Sequence, residues 1–336
     1  MKISDSAPPG PGRSRRAKGA GQLARLQQGI LAAVLLMAVA WCWALWPYSR
    51  AGAFIGVLFL LYGYTLVLGL ELWLMQRLNR SDGVPRAAWS ELLAAWVQEC
   101  WVTGQVFGGR QPFRPNEVPD QLDDPLLCGQ RGVVFIHGLV CNRGFWTPWL
   151  KRLQGSRHAF AAVNLEPVFG SISDYTPLID DAVRAVTRAS GLSPVLVCHS
   201  MGGVAARAWL ASRYRQGEVP AVHRIVTLGS PHRGTWLARF GRGINTAEMR
   251  QTSEWLNRLN ADLHSRPPEL FVCWYSNCDN IVFPASTATL PGADNRLLRG
   301  AAHVQLAFMP QLMDETLALL APGADGSGPR ATSARA

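Results

Sequence analysis

The sequence predicts an α/β protein: a mostly parallel sheet covered by helices on both faces, preceded by a two-helix transmembrane hairpin. Three observations carry that expectation. From residue 132 onward, short apolar runs alternate with helical patterns, as in a sheet buried on both faces. At 195–210 an apolar strand, a serine, two glycines and a helix follow in quick succession. Near the N-terminus two long apolar stretches lie almost back to back.

Residues 1–28 are polar and rich in Pro, Gly and Arg, a composition that predicts a disordered basic leader. They hold about half of the net charge of +10 carried by the 336-residue chain. Only three of the 33 basic residues are lysine, so no lysine-rich tail and no nucleic-acid partner are expected. Stretch 29–46 carries no charge, and stretch 51–75 carries only Glu71. Each meets the roughly 20 residues that a helix needs to cross a bilayer. Pro47-Tyr48-Ser49-Arg50 between them is long enough only for a tight turn, so 29–76 reads as a helical hairpin with both ends on one side. Trp41, Trp43, Trp46 and Tyr48 gather near the turn, as interfacial aromatics do. Lys2, Arg13, Arg15, Arg16, Lys18 and Arg25 precede the hairpin and Arg77, Arg80 and Arg86 follow it, whereas the turn offers Arg50 alone. The positive-inside rule therefore puts both ends, and everything after residue 80, in the cytoplasm. The competing reading is a signal peptide. It suits the chain less well, because the run is long, has no convincing small-x-small cleavage site and is followed at once by a second apolar stretch. The odd count of seven cysteines, with no C-x-x-C pair and no Cys/His ligand spacing, reads as free buried thiols rather than disulfides or a metal site.

Residues 77–130 read as a connecting segment with an amphipathic helix at 87–103. Its Trp89, Leu92, Leu93, Trp96 and Cys100 fall on one stripe. The stripe fits a helix packed on the following domain and also one lying on a membrane surface. The domain itself runs over 131–321. Strands are expected at 132–136, 160–165, 195–198, 224–228 and 270–275, with helices at 145–153 and 175–189 among them. Asp174 or Thr176 would cap the second of these helices, and Gly191 follows its end. The Gly/Ser/Ala/Arg-rich stretch 322–336 reads as a disordered tail.

Ser200 lies at the apex of the strand-turn-helix, in Cys198-His199-Ser200-Met201-Gly202-Gly203. This is the layout of a nucleophile elbow, with Cys198 in place of the first glycine of G-x-S-x-G. A serine hydroxyl is a poor nucleophile until a base takes its proton, and the base needs a carboxylate to orient it. In α/β-hydrolases the chain order is serine, acid, histidine. Asp279 follows the strand ending at Tyr275 and is the candidate acid, although an aspartate there also suits a turn that caps its own backbone. Asp262 and Asp294 have no preceding strand, and Asp314 falls in the final helix. The candidate base is His303, 24 residues after Asp279 and just before a final helix. His232 is its rival but precedes the acid. Main-chain N–H groups of Met201 and of Leu139, in the loop Ile136-His137-Gly138-Leu139-Val140-Cys141, are the candidate oxyanion donors. His137, His199 and His232 are candidates for lining the site.

Taken together, His137-Gly138, the elbow, Leu228-Gly229-Ser230-Pro231-His232-Arg233-Gly234-Thr235, Asp279 with Val282 and Pro284, and His303 resemble bacterial α/β-hydrolases of the esterase/lipase type over about 130–320. These are related to triacylglycerol lipases and membrane-associated lipid deacylases. The departures are Cys198 and the N-terminal hairpin, which typical secreted lipases lack. The resemblance implies a serine hydrolase that cleaves acyl esters of lipid or lipid-like substrates through an acyl-enzyme, with no cofactor and no metal. With the hairpin, it implies a two-pass protein of the bacterial inner membrane. It also implies a lid within 235–265, where Trp236-Leu237-Ala238-Arg239-Phe240 and Trp255-Leu256-Asn257-Arg258-Leu259 form amphipathic pieces. A thioesterase or acyltransferase on the same fold fits these motifs too. A non-catalytic membrane binding protein is the alternative of a different class.

Overall fold

A computed structural model describes residues 21–321. The first twenty residues of the expected leader and the expected tail at 322–336 lie outside the described residues. In the N-terminal part are helices α1 (Gln22–Leu45), α2 (Arg50–Tyr62), α3 (Tyr64–Leu78), α4 (Trp89–Gln105) and the single turn α5 (Gln111–Phe113). There follow β1 (Val133–Ile136), α6 (Thr147–Leu153), β2 (Phe160–Val163), α7 (Thr176–Ser190), β3 (Val195–His199) and α8 (Met201–Arg215). Then come β4 (Arg224–Leu228), α9 (Ile244–Glu248), α10 (Glu254–Asp262), β5 (Phe271–Tyr275), β6 (Asp294–Leu297), α11 (His303–Leu306) and α12 (Pro310–Ala318).

The strands form one parallel sheet in the order β2-β1-β3-β4-β5-β6. Successive residues of a strand point to opposite faces. Val134 and Ile136 of β1 therefore enter one core, with Trp209, Ile179 and Val183 from α7 and α8. Val133 and Phe135 enter the other, with Phe145, Trp146 and Trp149. The register pairs Ile136 with Cys198 and His199 with Leu228, so the C-terminal ends of the central strands share one rim. That rim is where open α/β sheets carry their sites. The edge strand β6 is not expected from the sequence. Its Asp294-Asn295-Arg296-Leu297 run is polar and partly exposed, and it is a strand because it pairs with β5. Asp294 thus opens a strand of its own.

The N-terminal helices differ from expectation at two places. Helix α1 begins at Gln22, inside the leader expected to run to residue 28. Leu23, Ala24 and Gln27 are buried on the body of the molecule, and Gln28 donates to the carbonyl of Pro112 at 2.6 Å, which holds this turn helical. The 24 residues of α1 are long and apolar enough to cross a membrane. The second apolar stretch is broken at Gly63, where α2 and α3 meet at 56°. Alone, the 13 residues of α2 span about 20 Å, short of a hydrocarbon core of about 30 Å. Helices α1 and α2 pack closely because Gly56 leaves room for the Trp41 indole, whose N–H donates to the carbonyl of Gly52 at 3.2 Å.

Helix α4 splits the stripe read from the sequence. Leu92, Ala95 and Glu99 are buried, while Trp89, Leu93, Val97 and Trp101 are exposed. The helix is packed between α3 and α11: the Trp96 indole donates to the carbonyl of Thr65 at 2.8 Å, and Val304 of α11 donates to Glu99 at 2.9 Å.

In the expected lid segment, Trp236 stacks on Phe283, and Leu256 and Leu259 are buried on α10, which packs against α8. Glu248 accepts hydrogen bonds from Ser171 Oγ (2.6 Å) and Ile172 N (2.7 Å), tying α9 to the short turn that leads into α7.

Candidate active site

Ser200 stands between β3 and α8 with φ 54° and ψ −128°, a conformation that costs a non-glycine residue about 1–3 kcal/mol. The surroundings impose it. Ser200 N donates to the carbonyl of Leu228 at 2.9 Å, and the helix begins at the next residue. A side chain at Gly202 would run into the carbonyl oxygens of Ile136 and His137, so only glycine lets α8 cross β1 this closely. A Cβ at Gly138 would lie 2.8 Å from that of Ser200. Cys198, at the position of the usual glycine, is fully buried with the apolar side chains between the sheet and α8. Burial pushes its thiol well up, which keeps it un-ionised and inert.

Asp279 lies in the loop after β5. Its Oδ1 accepts the N–H groups of Ile281 (3.0 Å) and Val282 (2.8 Å), so it does shape its own turn. The same carboxylate also receives His303 Nδ1, at 2.9 and 3.0 Å from its two oxygens. His303 opens α11. Its main-chain N–H donates to Asn280 Oδ1 at 3.1 Å, and its carbonyl accepts from His199 Nε2 at 3.1 Å. The His303 ring packs on His199, centroids 4.6 Å apart, and His199 stacks in turn on Phe145 at 4.6 Å. Because His199 immediately precedes Ser200, this packing brings the Asp279–His303 pair to the elbow. Burial opposes a charged imidazole here, but Asp279, then Glu99 and Glu71, outweigh it and raise the pKa of His303 above the ordinary value. Ser200 Oγ makes no hydrogen bond among the described residues. Nor do the N–H groups of Leu139 and Met201, which leaves those two donors free for a ligand.

The remaining histidines divide clearly. His137 is buried, with Nδ1 2.9 Å from the Gly138 carbonyl and Nε2 accepting from Leu165 N at 3.1 Å. Burial lowers its pKa to about 4, so it is a neutral brace for the loop that carries Leu139. His199 is likewise neutral, held well below its ordinary value by burial and by His303. His232 lies in the core against Thr227 Oγ1 (2.9 Å) and Cys273 Sγ (3.7 Å), and its carbonyl takes a bond from Arg207. Of the two candidate bases, His303 is the one placed on a carboxylate. Gly229, at φ 56°, is a site residue that the sequence did not single out: a Cβ there would lie 2.7 Å from Asp279 Oδ2. Asn280 was also missed, as was Glu99, whose signal is a carboxylate on the buried stripe of α4.

A parallel α/β sheet with a strained serine at the rim of its central strand defines a class. The chain belongs to the alpha/beta hydrolase family, whose model matches residues 133–331. The fold agrees with that of a solved lipase, and two further solved structures are similar at lower scores. The mature lipase BlEst2 of Bacillus licheniformis superposes with a TM-score of 0.51 at 17% identity, over 61% of this chain and 96% of that one. Lipase B of Aspergillus fumigatus gives 0.46 at 16%, over 55% and 51%. A monoacylglycerol lipase of Paleococcus ferrophilus gives 0.40 at 14%, over 57% and 95%. No curated protein matches the chain significantly.

Proposed function

We propose that the protein is a membrane-anchored serine hydrolase that cleaves acyl esters of lipid or lipid-like molecules. The observation that carries this reading is the strained turn at Ser200 beside a buried Asp279–His303 pair. In the reaction, Ser200 Oγ attacks the ester carbonyl carbon and passes its proton to His303 Nε2. Asp279 accepts the Nδ1–H and stabilises the imidazolium. The N–H groups of Leu139 and Met201 receive the charge on the carbonyl oxygen. Collapse of the tetrahedral adduct breaks the C–O bond, and the imidazolium protonates the departing alcohol. Water, deprotonated by the same imidazole, then releases the acid from Ser200. The Ser200–His303 hydrogen bond forms as substrate docks, as is common for catalytic bonds left open in the unliganded state.

Helix α1 would cross the bilayer; its N-terminal turn and the end of α3 both lie on the catalytic body, which supports their sharing one side, and the excess of basic residues flanking the apolar stretches makes that side the cytoplasm. Tethering raises the local concentration of a lipid substrate without adding a contact. The test of the chemistry is fluorophosphonate labelling of the full-length protein with Ser200→Ala as control, followed by a panel of acyl esters, thioesters and phospholipids. Labelling that depends on Ser200, with ester turnover, is expected. A folded protein that resists the probe and cleaves no ester overturns the reading. For topology, a C-terminal fluorescent-protein fusion should glow. A dark fusion with an active alkaline phosphatase fusion at the same point reverses the orientation.

A further inference from the structure

Helices α1, α3 and α4 each end a polar side chain on a different loop of the site. From α1, Gln27 Nε2 lies 3.5 Å from the carbonyl of Val140, next to Leu139. From α3, Glu71 Oε2 accepts from Asn280 Nδ2 at 2.7 Å, beside Asp279. A carboxylate can only accept, so Asn280 must turn its amino group to Glu71, which leaves its oxygen for the N–H of His303 at 3.1 Å. One amide thereby joins the acid loop to the backbone of the base. From α4, Glu99 takes the next two donors: Val304 N to Oε1 at 2.9 Å and Gln305 N to Oε2 at 2.8 Å. These N–H groups open α11 and have no acceptor within the helix.

Glu99 is 1% exposed, and among the described residues no cationic side chain pairs with it. A buried carboxylate without a cation is costly, and a neutral side chain would be cheaper in stability. What only a carboxylate supplies is two equivalent acceptors for two adjacent N–H groups; burial raises its pKa to about 7 against the pull of those two bonds, so it adds negative charge near His303 from about pH 7 upward. We propose that Glu99 and Glu71 are positioning residues for the His303–Asp279 pair, making the N-terminal helices a working part of the site and not merely its tether. This rests on the Ser200–His303–Asp279 reading. The titratable groups facing His303 are Asp279 from the loop after β5, Glu71 on α3, Glu99 on α4 and His199 on β3. Glu99, raised to about 7 by burial, titrates in the same range as His303, and replacing it with a neutral amide removes the part of its charge present there and lowers the pH at which His303 becomes a free base.

The test uses the full-length protein in detergent or nanodiscs, with Glu99→Gln, Glu99→Ala and Glu71→Gln. Steady-state kinetics on a soluble p-nitrophenyl ester separates kcat from KM, and the pH dependence of fluorophosphonate labelling reports His303 through Ser200. For Glu99→Gln, kcat should fall about tenfold or more with KM within about twofold, as expected of sub-ångström misplacement. The acid limb of its labelling profile should move to lower pH. Wild-type kcat and an unmoved acid limb in folded Glu99→Gln and Glu71→Gln overturn the proposal, even if melting temperatures drop, since that pattern marks a purely structural role. If both Glu99 variants fail to fold, the half-buried Glu71→Gln decides by the same two readouts. Failure of the underlying reading is distinct: the wild type itself would neither label nor turn over, and the proposal would fall with it.

Discussion

Gly229→Ala tests the site at its tightest point. The new methyl carbon would sit 2.7 Å from Asp279 Oδ2 and 3.3 Å from His303 Nδ1. Ordinary contacts of carbon lie near 3.5–4.0 Å, so the carboxylate must retreat by close to 1 Å. A shift of that size at a catalytic group costs on the order of 10²-fold in rate, or about 2.7 kcal/mol of barrier. The φ of 56° adds a separate penalty of about 1–2 kcal/mol for alanine. For a body of this size that lowers the melting temperature by about 2–8 °C. The assay is kcat on a p-nitrophenyl ester, normalised to the fraction of Ser200 that a fluorophosphonate titrates, alongside a thermal melt. A folded variant whose kcat stays within about threefold of wild type would refute the placement of Asp279 and His303 against Gly229.

The other predictions are simpler. The kcat/KM profile should rise with pH through a midpoint above 6.5, because catalysis needs neutral His303 and its pKa is raised despite burial; a midpoint below 6.5 contradicts this. His303→Ala should cost at least about 10³-fold in kcat. His232→Ala, a cavity between β4 and β5, should lose about 2–4 kcal/mol of stability yet keep turnover per titrated serine; equal loss of turnover in both variants reopens the choice of base. In the native protein a maleimide should react first at Cys128, which is exposed, and a Cys128→Ser variant should lose that fast phase. Gly56→Leu should separate α1 from α2 by colliding with Trp41, seen as a lower melting temperature in detergent with kcat unchanged.

Much of the sheet was legible because its central strands are apolar on both faces, as in Val195-Leu196-Val197-Cys198. The polar strand β6 was not legible, since an edge strand takes its form from its neighbour and not from its own pattern. The break at Gly63 was equally silent: the apolar composition of 51–75 runs straight through it, and hydropathy does not register a bend. At the site, Ser200, Asp279 and His303 stood out by order along the chain, and the structure sets His303 on Asp279. Gly229, Asn280 and Glu99 did not stand out, because each matters only through what distant segments bring against it. Glu71 carried a faint signal as the sole charge in its stretch. His232 stood behind His303 in the sequence because it precedes the acid, and its contacts with Thr227 and Cys273 place it in the core.

The bonds from Glu71 to Asn280 and from Glu99 to Val304 and Gln305 join positions 209, 205 and 206 residues apart. A chain growing from its N-terminus exposes both carboxylates long before their partners exist. Until then they stay hydrated, since burying them unpaired costs too much. Strand β3 can meanwhile pair with β1 and β4 and lead into α8, but its last residue, His199, still lacks the His303 carbonyl and ring. The last loop and α11 must arrive before the early helices can close on the body. On the proposed chemistry, completion of the fold and arming of the serine are therefore one late event, and a nascent chain that stops short of residue 303 would carry Ser200 without the base that activates it.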